Sequence, residues 1–173
     1  IPHVCVADNH TLLAIVKKNL EEKGVYCQIS QYTLSDQAKM DGLNIGCQIY
    51  KPLKRYPKPC AILFGGECTV DVKGKGKGGR CSELMMALSF ELQFLPTVSA
   101  ICFASDGQDG NAPACGAYVD STTCQRICSV DINPGQSLKY NDTFTAFSAI
   151  GDSLHSRKTG TNLNDILIVF ISQ

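Results

Sequence analysis

The sequence predicts a single α/β domain, residues 1–173, with a mixed, mainly parallel sheet that is flanked by helices on both faces. Short, continuous apolar runs alternate along the chain with segments of helical periodicity. Continuous apolar strands are typical of sheets covered on both sides, and their alternation with helices is typical of parallel strands joined by crossovers. The length of 173 residues suits one domain with a single core.

In the first half of the chain, turn and cap residues separate the predicted strands and helices. Residues 3–7 form a short apolar run before Asp8, which is suited to cap a helix. Apolar side chains then recur at helical spacing up to Gly24, a typical stop, and residues 25–29 predict a second strand. A weaker helix over residues 35–49 contains two glycines and precedes a proline-rich loop.

The second half begins with a buried strand at residues 60–64 that ends in two glycines. Residues 69–72 alternate like the second strand of a hairpin. After a glycine-rich loop, residues 84–95 predict an amphipathic helix and residues 98–104 a core strand. The remaining predicted elements are two helices and a continuous apolar strand, at residues 114–128, 143–154 and 166–171.

The composition excludes several classes of protein. Sixteen basic residues balance sixteen acidic ones, so no overall field attracts nucleic acid or an anionic membrane. No apolar run approaches the roughly 20 residues of a membrane span. The ten cysteines are scattered without a C-x-x-C pair, which favours reduced, mostly buried thiols and a cytoplasmic or mitochondrial location. The chain starts without Met or a signal peptide, so we expect it to be part of a longer protein.

A glycine-rich basic loop is the first candidate site. Its glycines are Gly74, Gly76, Gly78 and Gly79, and its cations are Lys75, Lys77 and Arg80. Glycines allow left-handed backbone angles and close approach to a ligand, and N–H groups at a following helix N-terminus attract anions. The loop formally matches G-x-G-x-x-G and nearly matches a phosphate-binding loop that would need Lys and Ser or Thr in place of Arg80 and Cys81. A solvated, flexible loop remains the alternative.

Three polar segments are further candidates. Asp106 and Asp109 follow a buried strand, where they suit a divalent cation or a sugar hydroxyl, although an Asp-Gly turn would explain them equally. Asn141 precedes a predicted helix and could simply cap it. Thr161 and Asn162 belong to a run of short polar side chains before the last strand, for which a polar turn is the alternative.

Taken in order, these segments resemble the MOFRL domain, the C-terminal half of the glycerate kinases formerly called hydroxypyruvate reductases. The matching segments are residues 65–70, 74–80 with Glu83, 105–110, 116–117 with Asp120, 141–142, and 159–162 with Asp165. The sequence departs from the family pattern at residues 81–82, where Asn-Gln is usual, and at residues 157–158, where Gly-Pro is usual. The resemblance covers nearly the whole chain.

The resemblance implies ATP-dependent phosphorylation of D-glycerate with Mg²⁺ or another divalent cation. It places the reaction in a cleft between this domain and an N-terminal Rossmann-like domain, which carries a catalytic lysine and is absent from this chain. The fragment alone would then be inactive. The implied partners are glycerate, ATP and the N-terminal domain, without nucleic acid or membrane, and a homodimer is compatible with them.

The resemblance also assigns roles to the candidate residues. Arg80 would bind a phosphate or the glycerate carboxylate, because its planar fork binds either group through two hydrogen bonds. Arg80 and Asp106 are the expected catalytic residues, and Asp106 and Asp109 would contact the metal or glycerate hydroxyls. The remaining contacts to nucleotide or substrate fall to Lys75, Gly76, Lys77, Gly78, Gly79, Asn141, Thr161 and Asn162.

Two other functions remain open on the sequence alone. The basic loop could belong to an anion- or nucleic-acid-binding module, although Trp is absent and no aromatic residue interrupts the loop. A hydroxypyruvate reductase would need a nicotinamide site, for which the isolated glycine pattern is the only support.

Overall fold

The computed structural model describes residues 5–172, in which a six-stranded sheet carries helices on both faces. The strands are β1 (Tyr26–Ile29), β2 (Cys60–Gly66), β3 (Val98–Ala104), β4 (Gly116–Asp120), β5 (Ser153–Leu154) and β6 (Asp165–Ile171). The helices are α1 (Asn9–Glu21), α2 (Ala38–Arg55), α3 (Arg80–Leu92), α4 (Thr123–Ser129), α5 (Pro134–Lys139) and α6 (Thr143–Ala149). The prediction of an α/β domain with a mixed sheet is confirmed.

The strand order is β1-β2-β6-β3-β4-β5, and most neighbours are antiparallel. β1 and β2 pair in parallel, whereas β6 pairs antiparallel with both β2 and β3, and β4 pairs antiparallel with β3 and β5. The expectation of a mainly parallel sheet is therefore corrected. The difference arises from β6. The crossover through α3 makes β2 and β3 point in the same direction, as predicted, but β6 lies between them and runs in the opposite direction.

Alternating side chains of the central strands supply two cores. On one face, Leu63 and Ala61 pack under α1 through Leu13. On the other face, Ile62 and Phe64 belong to the larger core beneath α2 and α3. Because consecutive strand residues point to opposite sides, burial of all of β2 requires cover on both faces. Helices on both faces were predicted and are present.

Helix α1 begins and ends at the predicted residues. Asp8 caps it by accepting a hydrogen bond from the backbone N–H of Thr11 at 2.7 Å. Gly24 follows its end with φ of 79°, a left-handed conformation that favours glycine. The strand predicted over residues 3–7 is not found for residues 5–7, which are exposed coil, and its residues 3 and 4 lie outside the described part.

Four other predicted elements differ from the structure. Residues 69–72 form no hairpin strand, because both edges of β2 already pair with β1 and β6. Residues 114–128 and 143–154 were predicted as whole helices, but they divide into β4 with α4 and α6 with β5. A positive φ at Gly151 ends the second of these helices early. α2 continues through Pro52 into the predicted loop.

The described cysteines all carry free thiols, and six of them are buried as predicted. Over residues 5–172, no helix combines the length and the apolar character that crossing a membrane requires.

Candidate active site

The candidate site lies at one edge of the sheet, where three strands bring their ends together. The register aligns Gly66 at the end of β2 with Asp165 at the start of β6, and Asp165 with Ala104 at the end of β3. Helix α3, which links β2 to β3, begins at this edge with Arg80. Ligands of open α/β sheets gather at such carboxyl ends of strands.

Arg80 is held by two carboxylates. Its Nε donates to Oδ2 of Asp165 at 2.7 Å and its Nη2 to Oδ1 of the same carboxylate at 3.1 Å. Nη2 also lies 3.1 Å from Oε1 of Glu67. The Arg80 side chain is 22% exposed and Asp165 only 2%, so the pair is anchored from the interior. The sequence predicted an anion-binding role for Arg80, and the structure shows that protein carboxylates already occupy part of its fork.

Burial changes the ionisation of both partners in this pair. It raises the pKa of Asp165 to about 6, although the hydrogen bond and charge of Arg80 act in the opposite direction. For Arg80, burial alone would lower the pKa of the guanidinium, but the hydrogen bond and charge of Asp165 outweigh it and raise the pKa. Arg80 is therefore charged at every ordinary pH.

The glycine-rich loop is anchored at its start by Asn141. The Asn141 Oδ1 accepts the backbone N–H groups of Lys73 and Gly74 at 2.7 and 2.8 Å. Its Nδ2 donates to Oε1 of the buried Glu83 at 2.6 Å. Asn141 itself has φ of 56°, a left-handed conformation that asparagine tolerates better than most residues. The structure brings this predicted site residue to the loop, where it contacts backbone.

The rest of the loop is fixed in the same way. The N–H of Lys77 donates to Oδ1 of Asp142 at 2.9 Å, and that of Gly78 donates to Oδ1 of Asn111 at 2.9 Å. The next N–H along the chain donates to Oγ of Ser82 at 3.0 Å. These N–H groups were predicted to converge on a bound anion, but protein oxygens accept them. The anion-binding capacity of the loop therefore lies in its side chains.

The loop glycines are needed for close packing. None of the four has a positive φ, contrary to the expectation of left-handed angles. A Cβ at Gly74 would overlap the backbone of Tyr140, and one at Gly79 would overlap Asp109. The loop is thus pressed against neighbouring backbone, and the alternative of a flexible, solvated loop is not supported.

The N-terminus of α3 already holds an anion, which is the carboxylate of Asp109. Its Oδ1 and Oδ2 accept the N–H groups of Cys81 and Ser82, each at 2.9 Å, and the residue is 1% exposed. A carboxylate at this position satisfies donors that the helix cannot and interacts favourably with the helix dipole. Asp109 was predicted to contact substrate or metal, but the structure gives it the role of a helix cap.

Asp106 and the polar run before β6 lie side by side, as the sequence order alone could not show. The Asp106 carbonyl accepts the N–H of Thr159 at 3.2 Å, and its Oδ1 accepts the N–H of Gln108 at 2.9 Å. Thr161 and Asn162 are exposed, and the Asn162 Oδ1 accepts the N–H of residue 164. Asp106 is half-buried and its Oδ2 has no hydrogen-bond donor among the described residues.

Two clefts border the loop. One, of about 400 Å³, is lined by Arg80, Glu83, Asn141 and the loop backbone. A more open one, of about 760 Å³, is lined by Lys75 and Lys77 with Tyr140. Both lysines are exposed and form no ion pair within residues 5–172. They are the loop's available positive charges.

The divalent cation implied by the resemblance has limited protein support. Asp109 does not fit as a ligand, because both of its oxygens accept helix N–H groups and it is buried. Asp106 fits through its remaining oxygen. No group of three or more potential His, Cys, Asp or Glu ligands occurs in the described part of the chain. Mg²⁺ usually binds through one or two carboxylates, phosphate oxygens and water, so one carboxylate is compatible with it.

Sequence reasoning missed three residues of this site. Glu67 and Asp165 were noted only as parts of motifs, and Asn111 was not noted at all. The position of Asn111 directly after an Asp-Gly turn was the available signal, because asparagine at turns often binds backbone. No local pattern could identify Asp165 as the partner of Arg80, because the two residues are 85 positions apart in sequence.

The chain matches the model of the MOFRL family over residues 60–165. It is 35% identical over 161 residues to the D-glycerate 2-kinase of Thermotoga maritima. The aligned region covers 90% of this chain and 38% of that protein. It is 30% identical over 171 residues to the glycerate 2-kinase of Pyrococcus horikoshii, covering 96% of this chain and 39% of that protein. The chain thus spans about two fifths of the length of these relatives.

The fold is also that of a solved kinase structure. The crystal structure of the glycerate kinase from Thermotoga maritima superposes on this chain with a TM-score of 0.90 and 32% identity. The match covers 95% of this chain and 41% of that one.

Proposed function

This chain belongs to the MOFRL family, and from that premise we propose that residues 1–173 are the C-terminal domain of a two-domain glycerate kinase. The reaction is transfer of the γ-phosphoryl group of ATP to D-glycerate, in the presence of Mg²⁺. It takes place in a cleft between this domain and an N-terminal domain that the chain does not contain.

One observation carries this proposal: cationic side chains line two clefts beside the glycine-rich loop. Arg80 lines one cleft, and the exposed Lys75 and Lys77 line the other. Phosphoryl transfer needs positioned reactants and neutralised charge more than covalent chemistry from the protein. A fixed guanidinium at one cleft contributes positioning, and two ammonium groups at the other, unpaired within residues 5–172, contribute positive charge.

Each residue has a distinct part in this proposal. Lys75 and Lys77 attract the nucleotide phosphates, and Arg80 binds the glycerate carboxylate or the transferred phosphoryl group. Asp106 contacts a glycerate hydroxyl or a metal-bound water, and Thr161 with Asn162 supplies hydrogen bonds from the adjacent turn. Bound Mg²⁺ would neutralise charge on the phosphates.

Other site residues act through the backbone. Asp109 holds the first turn of α3 and hence the position of Arg80. Asn141, Asp142 and Asn111 hold the glycine loop and hence its lysines. Their contribution is the rigidity that charge stabilisation requires, because a mobile charge must be reordered during the reaction.

The test uses the natural full-length protein and the 173-residue chain side by side. Each is incubated with ATP, Mg²⁺ and D-glycerate, and ³¹P NMR identifies 2-phosphoglycerate and 3-phosphoglycerate separately. We expect product from the full-length protein and none from the chain alone, because the fragment lacks the opposite wall of the cleft. Equal activity of both would contradict the interdomain site, and inactivity of the full-length protein towards glycerate would contradict the kinase assignment.

A further inference from the structure

The guanidinium of Arg80 has two edges, and its protein contacts use them unequally. The side edge, Nε with Nη2, is filled by Asp165 through two hydrogen bonds. Oε1 of Glu67 lies 3.1 Å from Nη2, the nitrogen that the side edge shares with the end edge, Nη1 with Nη2. Nη1 donates to no partner among residues 5–172. An incoming carboxylate or phosphate that binds Arg80 through two oxygens must therefore use the end edge.

The two carboxylates differ in how readily they can move. Asp165 is buried, its backbone is paired with β2 and β3, and its carbonyl accepts a hydrogen bond from Asn9. The Glu67 side chain is 42% exposed, and its one ion pair with residues 5–172 joins it to Arg80. Glu67 can thus rotate into solvent at little cost. Movement of Asp165, in contrast, would leave the largely buried Arg80 guanidinium without its buried counterion.

The charges of this cluster oppose anion binding. One guanidinium faces two carboxylates, and Asp165 alone already balances it. An anionic ligand that approaches the end edge meets the additional negative charge of Glu67. Both its ion pair with Nη2 and its charge repulsion make Glu67 a competitor of any such ligand.

We infer that Glu67 is an internal counter-anion of the site, which D-glycerate or phosphate must displace from Nη2 of Arg80, and which thereby sets the affinity and selectivity for anions. The inference rests on the proposed function for the identity of the substrate. Displacement favours ligands that hold Arg80 through two oxygens, because only these replace the lost ion pair by a stronger one.

The substitution Glu67→Gln tests this inference in the natural full-length protein. Glutamine keeps the shape of the side chain but removes its charge. We expect the Kd for inorganic phosphate, measured by calorimetry, and the KM for D-glycerate to fall by about twofold to fivefold, the range expected for a partly exposed ion pair. Glu67→Ala, which also removes the bulk of the side chain, should change both constants in the same direction.

A matched control is Glu22→Gln, which removes an exposed glutamate paired with Lys18 at the far end of α1. Neither constant should change in this variant. Thermal unfolding of each variant confirms that it is folded. If removing the Glu67 charge leaves phosphate and glycerate binding unchanged or weakens it, Glu67 is not a competitor and the inference is overturned.

The outcome separates this inference from the proposed function. Calorimetry with phosphate reports on the end edge of Arg80 without any turnover. A protein that shows no kinase activity but binds phosphate more tightly after Glu67→Gln would contradict the proposed function and support the counter-anion. An active kinase that binds phosphate more weakly after Glu67→Gln would support the proposed function and contradict the counter-anion.

Discussion

Asp165 and Arg80 are 85 residues apart in sequence and joined by two hydrogen bonds of 2.7 and 3.1 Å at the edge of the sheet. Asp165 begins the central strand β6, and Arg80 begins α3, the helix that packs on β3 and β4. The pair therefore ties the position of the candidate anion-binding cation to the centre of the fold.

Replacing Arg80 tests its place in the reaction. In the full-length protein, Arg80→Ala should lower kcat/KM for glycerate by at least ~100-fold, the cost of losing one preorganised charge donor. Arg80→Lys should restore only part of the rate, because an ammonium cannot reproduce the planar fork.

The matched control for Arg80 is Arg126→Ala. Arg126 forms a similar two-bond pair with Asp152, at 2.9 and 2.6 Å, on a helix away from the loop. This control should lose stability without a comparable loss of rate. A rate effect of only a few-fold for Arg80→Ala would remove Arg80 from the proposed mechanism.

Asp109 gives a prediction about stability. Asp109→Ala leaves two buried N–H groups of α3 without an acceptor, so we expect the free energy of unfolding to fall by about 1–3 kcal/mol. Formate should restore part of the loss, because it can occupy the vacated space and accept both N–H groups. Thermal melts with sodium formate, against equal sodium chloride, measure this. If formate raises the melting temperature of Asp109→Ala no more than it raises that of the unsubstituted protein, the helix-capping role of Asp109 is contradicted.

Asn141 gives a prediction about local order in the loop. Asn141→Gly keeps the left-handed backbone but removes the side chain that accepts from Lys73 and Gly74. Amide hydrogen exchange at these two residues should become at least about tenfold faster, as expected for the loss of a hydrogen bond worth about 1.4 kcal/mol. The amides of β6 serve as the internal reference. Unchanged protection at both residues would show that the loop holds itself.

Asp165 gives a prediction about pH. Burial raises the pKa of Asp165 in the folded protein to about 6, above its ordinary value of 3.8, so the folded state holds the proton over a wider pH range. The contribution of Asp165 to stability should therefore be largest below about pH 4 and fall as the pH rises to about 6. Asp165→Asn should lose this dependence, which urea unfolding at pH 4.5 and pH 7 would reveal. A ¹³C carboxyl titration that places the pKa of Asp165 below 4 would contradict the expected effect of burial.

The sequence predicted the elements with strong local signals. The capped α1, the continuous apolar strands β2, β3 and β6 and the helix after the glycine loop all carry such patterns. It failed where pairing partners decide the structure. The five residues of β4, Gly116–Asp120, are too few for periodicity to separate a strand from a helix, and pairing with β3 selects the extended form. The position of β6 between β2 and β3 leaves no mark on any of the three segments.

The candidate site was predicted in its membership more than in its roles. The segments around Arg80, Asp106 and Asn162 lie at one edge of the sheet, where their positions beside strand ends and the family resemblance placed them, and Asn141 contacts the adjoining loop. Their contacts depend on distant residues: Asp109 binds helix donors, and Asn141 binds the loop. A pattern of residue types cannot distinguish a carboxylate that is free to bind a ligand from one that accepts hydrogen bonds from the protein's own backbone.

The insertion of β6 also has a consequence for biosynthesis. This central strand follows every other element along the chain, so during translation β2 and β3 emerge long before the strand that joins them. Until residues 165–171 leave the ribosome, the facing edges of β2 and β3 carry unpaired backbone groups, and such edges invite association with other nascent chains. The sheet closes only once residues 165–171 have been made, and the Arg80 guanidinium gains its buried counterion at that same step.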